Sequence, residues 1–296
     1  MTLSSRTRAE LALIGVTIIW GSTFVMVKAA LEEISTILFL TLRFTLAAAL
    51  LAVIYRRRLN RAGLAPAAGA GALLFAAYVL QTMGLERTTP SKSAFLTGLC
   101  IPMVPLAGSL VYRVVPRMAE AAGILVATIG MALMTLPEGS WNLNRGDLLT
   151  TGCALAFALH MVVVARYAPV VGFETVAVAQ AVTAALLGLV SVGWMEPVRF
   201  HPSPGAATAV AVTGLLATAL AFTTMAWAQK YTTSTRSALI FALEPVVAWV
   251  TSWALTGETL ALRARFGAVL ILAGVLLVEF RPGASATKPV AATSEV

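Results

Sequence analysis

The chain has 296 residues, of which 59% are hydrophobic and 11% charged, with a formal net charge of +8 and a mean hydropathy of +0.87. A soluble domain carries about 25% charged residues, so this composition excludes a water-soluble fold of this size, and lipid must be the solvent over much of the surface. The positive charge is spread over loops and does not point to nucleic acid.

A span needs about 20 mostly apolar residues to cross a hydrocarbon core about 30 Å thick. Ten segments qualify: 9–30, 34–55, 64–86, 92–112, 118–137, 147–166, 174–195, 205–229, 237–256 and 262–280. The polar start "MTLSSRTRAE" has no small-residue cleavage site after the first span, so that span is read as retained. Trp20 lies deep in it, too deep for an interfacial belt. The second span holds Arg43 in "LFLTLRFTLAAALL" and ends at the basic anchor "RRRLNR". Tyr78 and Gln81 in the third are three residues apart and point the same way. The fourth holds Thr97 and is interrupted by Pro102 and Pro105 in "CIPMVPLAG". Gly123 and Gly130 mark the fifth, His160 the sixth, Gln180 the seventh and Trp227 the eighth. The ninth contains "IFALEPVVAW", an acid and a helix breaker, Glu244 and Pro245, in a stretch with no other charge between Arg236 and Glu258. Arg263 and Arg265 weaken the start of the tenth, and the tail "PGASATKPVAATSEV" reads as disordered. Cys100 and Cys153, far apart and in no C-x-x-C pair, read as small buried apolar residues.

With the N-terminus inside, thirteen of the 21 Lys and Arg residues fall on the inner side and seven on the outer, Arg43 being within a span. The positive-inside rule therefore places both termini in the cytoplasm.

Two stretches align at an offset of 144: "TTPSKSAFL" from Thr88 and "TTSTRSALI" from Thr232, with Gly123 against Gly267 and Gly130 against Gly274 further on. A looser match at offset 137 sets "RFTLAAALL" from Arg43 beside "QAVTAALLG" from Gln180. A repeat of five spans is odd-numbered, so the second copy enters from the opposite face. The expectation is an all-α integral membrane protein of ten transmembrane helices, two inverted five-helix repeats (residues 1–140 and 141–283) around a central cavity, with 284–296 a disordered tail. In such folds substrate sits near the midplane, between interrupted helices in corresponding places. The Gly pairs, seven apart on one helix face, are read as packing positions.

A charge in mid-span costs about 2.5–3.5 kcal/mol on insertion scales, which asks for a partner, a watered cavity or a function. Arg43 is read as a structural anchor or as a carboxylate binder; Glu244 as a partner of Arg43, a proton site or an amine contact. Pro245 removes a backbone donor and frees a carbonyl near residue 241. His160 is read as a hydrogen-bonded cavity residue or a proton shuttle. No metal-ligand spacing surrounds either histidine, and no hydrolase, metalloprotease or nucleotide-binding motif occurs. The chain reads as no enzyme, with no cofactor and no metal.

"IIWGSTFVMVKAAL", "LRFTLAAALL", "ALEPVVAWVTSWALTGETL" and "FGAVLILAGVLLV" resemble the EamA family of the drug/metabolite transporter superfamily over nearly the whole chain, and within it the YddG-type exporters of aromatic amino acids. The motifs carry over to Trp20–Gly21, Arg43–Phe44, Glu244–Pro245 and Gly257–Glu258. The resemblance implies a cavity presenting Trp20, Tyr78, Gln81, Phe95, Thr97, His160, Trp227 and Phe241, with Arg43, Pro102, Pro105, Glu244 and Pro245 in structural or gating roles. Aromatic walls with a few hydrogen-bonding groups suit a partly apolar metabolite. No fixed pair of opposite charges is expected to read a zwitterion, so affinity should be modest, which fits an exporter.

The expected function is inner-membrane export of neutral or aromatic amino acids and related metabolites by alternating access, the partners being that small-molecule substrate and membrane lipids, with the chain working as a monomer. A multidrug or quaternary-amine exporter would need an unpaired acid in the cavity, for which Glu244 is the one candidate. A lipid flippase needs a lateral opening, and a membrane enzyme a catalytic cluster that the sequence lacks. Proton antiport and facilitated movement both remain open.

Overall fold

The computed structural model describes residues 3–87, 90–113, 116–136, 144–256 and 261–279; these form helices joined by turns and loops, with an isolated β-bridge between Ile34 and Phe200. The Gly257–Glu258 motif and the tail lie outside the described residues. The helices are α1 (Ser5–Glu33), α2 (Thr36–Tyr55), α3 (Leu64–Leu85), α4 (Pro90–Gly98), α5 (Cys100–Tyr112), α6 (Met118–Thr135), α7 (Arg145–Val171), α8 (Phe173–Ser191), α9 (Pro204–Gly214), α10 (Ala221–Ala228), α11 (Ser234–Phe241), α12 (Glu244–Thr256) and α13 (Leu262–Glu279). A π-helical segment, Leu215–Leu220, joins α9 to α10.

Local chemistry sets the helix starts. Ser4, Asn144, Ser203 and Thr233 each accept a backbone N–H of the first turn, satisfying donors that a helix start leaves free. Asn144 and Asp147 form a reciprocal capping box.

Among the described residues, six helical stretches are long and apolar enough to cross a membrane: α2, α3 with its preceding turn, α6, α7, α8 and the run from α9 to α10. α1 makes a seventh if its two arms, bent by 44°, are one span. The core is apolar, and so is much of the surface. Leu110, Leu125 and Val190 are exposed while Arg43, His160, Gln180 and Thr218 are buried, as expected where lipid replaces water outside. Thr17, Thr41, Thr82, Thr150 and Thr213 return their hydroxyls to the carbonyl four residues back, so these polar groups meet lipid or core already satisfied.

Packing joins the two halves of the chain. α2 lies on α8, α6 on α13, α3 on α7 and α8, and α1 on α10 and α12. Exchanging each helix for its mate in the sequence repeat turns the α3–α7 contact into α10–α1, and α5–α7 into α12–α1; all four are present. The α6–α13 seam is the tightest. A Cβ built at Gly130 would sit 2.6 Å from the Gly267 carbonyl oxygen, and one at Gly123 would sit 2.7 Å from that of Gly274. Each contact maps onto the other under the offset of 144. These glycines pack backbone against backbone, as small residues do in membrane helix pairs.

Candidate functional site

Two helices break at the same place in the repeat. α4 stops at Gly98 and α5 resumes at Cys100; α11 stops at Phe241 and α12 resumes at Glu244. Pro102 cannot donate to the Gly98 carbonyl, nor Pro245 to that of Phe241, and each ring crowds that carbonyl. Tight three-residue turns take over: the Ala242 and Leu243 N–H groups donate to Leu239 and Ile240, and that of Leu99 is shared between Phe95 and Leu96. Pro105 lies within α5 rather than at the break.

A cavity of about 110 Å³ lies where these breaks face α1, α2, α3, α7 and α10. Its lining repeats itself. Thr97 and Cys100 of the first break correspond, at offset 144, to Phe241 and Glu244 of the second, and all four line the cavity. Tyr78 and Gln81 correspond likewise to Phe222 and Met225. At offset 137, Trp20 corresponds to Phe157 and Thr23 to His160, again all on the wall.

The aromatic rings form one connected wall. Trp20 packs at 5.2 Å from Phe222 and 4.9 Å from Phe241, while Tyr78 stands edge-on to Phe157 at 5.3 Å. His160 stands edge-on to Phe222 at 5.6 Å, and its Nε2 lies 2.8 Å from Gln180 Oε1.

Arg43 is 4% exposed and lines the cavity. Its Nε donates to Thr218 Oγ1 at 2.5 Å, and its Nη2 to Tyr78 Oη at 2.9 Å and to the Ala217 carbonyl at 3.2 Å. The guanidinium lies 4.4 Å from the Tyr78 ring centroid, a favourable cation–π contact. The Ala217 carbonyl also accepts the Trp20 indole N–H at 2.8 Å. The π-segment makes this possible, because its widened turn re-aims carbonyls of an otherwise closed helix. Thr218 returns its own hydroxyl to Thr213, five residues back.

The two ends of the bundle are tied differently. At the end where α1, α6 and α11 begin, Arg236 meets Glu120 at 3.3 Å and Glu10 at 3.7 Å, and Arg6 meets Glu10 at 2.7 Å. At the other end the loop before α9 pairs with the α1–α2 junction through backbone: Ser35 N–H to Arg199 and His201 N–H to Glu33, both 2.9 Å. Glu196 accepts the Ile37 N–H there; burial pushes its carboxyl above the ordinary range, and that bond offsets part of the rise.

Of the residues singled out from sequence, Trp20, Arg43, Tyr78, Gln81, Thr97, His160, Phe241 and Glu244 meet at the cavity. Phe95 is buried in the core and Trp227 packs on Tyr231 at 5.5 Å; neither lines it. Arg43 and Glu244, read from sequence as structural or gating residues, both line the cavity, and the pairing offered for them is not made: no ion pair joins them among the described residues. Sequence reading missed Phe157, Phe222 and Met225, although applying the repeat offsets to Trp20, Tyr78 and Gln81 reaches all three. It also missed Ala217 and Thr218, because nothing in "LLATAL" marks a π-turn.

The family model of the EamA-like transporter family matches residues 7–136 and 144–280. An uncharacterized transporter of Archaeoglobus fulgidus is 30% identical, over 93% of this chain and 87% of its own length. The uncharacterized transporter YyaM of Bacillus subtilis is 26% identical, over 89% of this chain and 91% of its own. A protein known from its crystal structure shares the fold with a TM-score of 0.77 at 19% identity, covering 92% of this chain and 96% of the other.

Proposed function

The chain belongs to the EamA-like transporter family, a family of multi-pass membrane proteins and not of enzymes, and on that premise we propose that it exports neutral and aromatic amino acids and related small metabolites across the inner membrane by alternating access. In this reading α4–α5 and α11–α12 each cross once as a broken span and, with α1 and α13, complete ten spans in two inverted halves. The distribution of Lys and Arg supports a placement of both termini in the cytoplasm.

The observation that carries the reading is the self-matching cavity wall. Positions equivalent in the repeat, Thr97 and Phe241, Cys100 and Glu244, Tyr78 and Phe222, face the same space. A passage between two copies related by inversion can open to one side by the same repacking that closes it to the other. The aromatic wall suits an apolar side chain, and Gln81, Thr97 and His160 offer hydrogen bonds to a polar head. Arg236, bridging to Glu10 and Glu120, supplies a tie that such repacking would make and break at one face.

A quaternary-amine or multidrug exporter is the second reading, favoured by the placement of the Glu244 carboxylate on the cavity; the Arg43 cation on the same wall weighs against it. Purified protein in proteoliposomes, loaded in turn with labelled amino acids and with organic cations, tests both, with and without an imposed pH gradient. Saturable efflux of phenylalanine, tyrosine or leucine is the expected result. Efflux of cations alone would replace the first reading by the second. A rate that responds to the pH gradient would assign proton coupling.

A further inference from the structure

We propose that Arg43 and Glu244 together read the head group of a zwitterion, the guanidinium taking a carboxylate and the Glu244 carboxylate taking an ammonium group, so that the cavity selects molecules carrying both. This rests on the amino-acid reading above and gives it a chemical basis.

The geometry begins with what Arg43 leaves unused. Its Nε and Nη2 are held by Thr218, Tyr78 and the Ala217 carbonyl. Its Nη1 has no protein acceptor among the described residues, and the side chain lines the cavity. All three acceptors are neutral, so no anion answers the guanidinium charge at this buried place. A buried cation without a counter-ion is costly; the Tyr78 ring beneath it offsets only part. The clamped edges also fix the plane of the guanidinium, so that a carboxylate arriving at Nη1 meets a donor already oriented, with little side-chain entropy left to lose.

Glu244 is the complement. It is the first residue of α12, placed by the break. Its carboxylate accepts no hydrogen bond from any described residue, and it too lines the cavity. Two opposite charges on one wall that do not neutralise each other leave two half-sites. A molecule with one charge answers one half and strands the other. A zwitterion whose two charged groups reach both half-sites answers both, while Trp20 and the Phe222 and Phe241 rings packed against it receive its apolar part. The Nε2 of His160 is already engaged with Gln180, so that nitrogen competes for neither charge.

The test compares three probes with the same ring: L-phenylalanine, phenethylamine, which lacks the carboxylate, and 3-phenylpropionate, which lacks the amine. Binding is measured by titration calorimetry on detergent-purified protein. Wild type is expected to prefer L-phenylalanine over each single-charge probe by about tenfold or more, the effect of one charge-assisted hydrogen bond. Arg43→Gln should abolish the preference over phenethylamine and keep that over 3-phenylpropionate; Glu244→Gln should do the reverse. Arg43→Lys should retain a reduced preference over phenethylamine. Equal binding of phenethylamine and L-phenylalanine by wild type overturns the head-group assignment while leaving amino-acid transport standing, and this comparison needs no variant to fold. A variant that weakens all three probes alike overturns it in favour of a purely structural role. No binding of L-phenylalanine, tyrosine or leucine overturns both the assignment and the amino-acid reading beneath it.

Discussion

The two broken helices share a backbone and differ in chemistry. α4–α5 and α11–α12 stop and resume at matching positions of the repeat, each beside a proline. Yet the first presents Thr97 and Cys100 to the cavity, and the second Phe241 and Glu244. The same holds elsewhere on the wall: Arg43 corresponds to Gln180, which turns to His160 instead of lining the space. Under the proposed alternating access, duplicated geometry would supply a seam with two similar arrangements. The side chains have diverged, with the acid at one break and the guanidinium on the helix that faces the π-segment.

The largest expected effect attacks the shared backbone. Gly130→Leu drives a side chain into the Gly267 carbonyl, where even a Cβ would stand 2.6 Å away. Overpacking usually costs about 1–3 kcal/mol, and here the obstacle is backbone that cannot rotate aside. The expected outcome is loss of folded protein on size-exclusion chromatography in detergent. Gly274→Leu, its counterpart in the repeat, whose Cβ would stand 2.6 Å from the Gly123 carbonyl oxygen, should fail equally, whereas Gly108→Ala, with nothing within 4 Å of the new Cβ, should fold and gain up to about 1 kcal/mol. Failure of one seam glycine alone would break the equivalence of the halves.

A second test separates backbone from chemistry at the breaks. Pro245→Ala restores a donor for the Phe241 carbonyl and lets α11 run on into α12, moving Glu244. Pro102→Ala does the same to Cys100. Proline is tolerated in a first helical turn, so melting temperatures should hardly change. Transport should fall about tenfold for Pro245→Ala, equivalent to about 1.4 kcal/mol, and by less for Pro102→Ala, which displaces no charge. Equal losses would mean that the break matters and the acid does not.

How much of this was legible in the sequence follows from what each signal encodes. Prolines announce a break because a missing N–H is a covalent fact, so both breaks were visible to within a few residues. Mid-span polar residues announce a cavity because lipid penalises them, and that led to Tyr78, Gln81, Thr97 and His160. Which side of a helix faces inward is harder. Phe95 is two residues from Thr97, and Trp227 five from Phe222, about 200° and 140° around a helix that turns about 100° per residue, so both point away from the cavity their neighbours line. The π-segment left no trace, since its widened turn answers to tertiary partners, Trp20 and Arg43, and not to any breaker of its own.

The smallest effect sharpens the comparison by making the halves more alike. Trp20→Phe gives α1 the ring that its counterpart Phe157 already provides. The change removes the indole donor to the Ala217 carbonyl, worth about 1 kcal/mol at most. That carbonyl still accepts from Arg43, so it is not left bare, and the melting temperature should drop by a few degrees or less. The ring contacts with Phe222 and Phe241 survive in part, so KM for the best amino acid should change less than about threefold, about 0.7 kcal/mol. A larger change in KM with unchanged stability would mean that the indole itself touches substrate, and that the two halves differ at α1 as much as they do at the breaks.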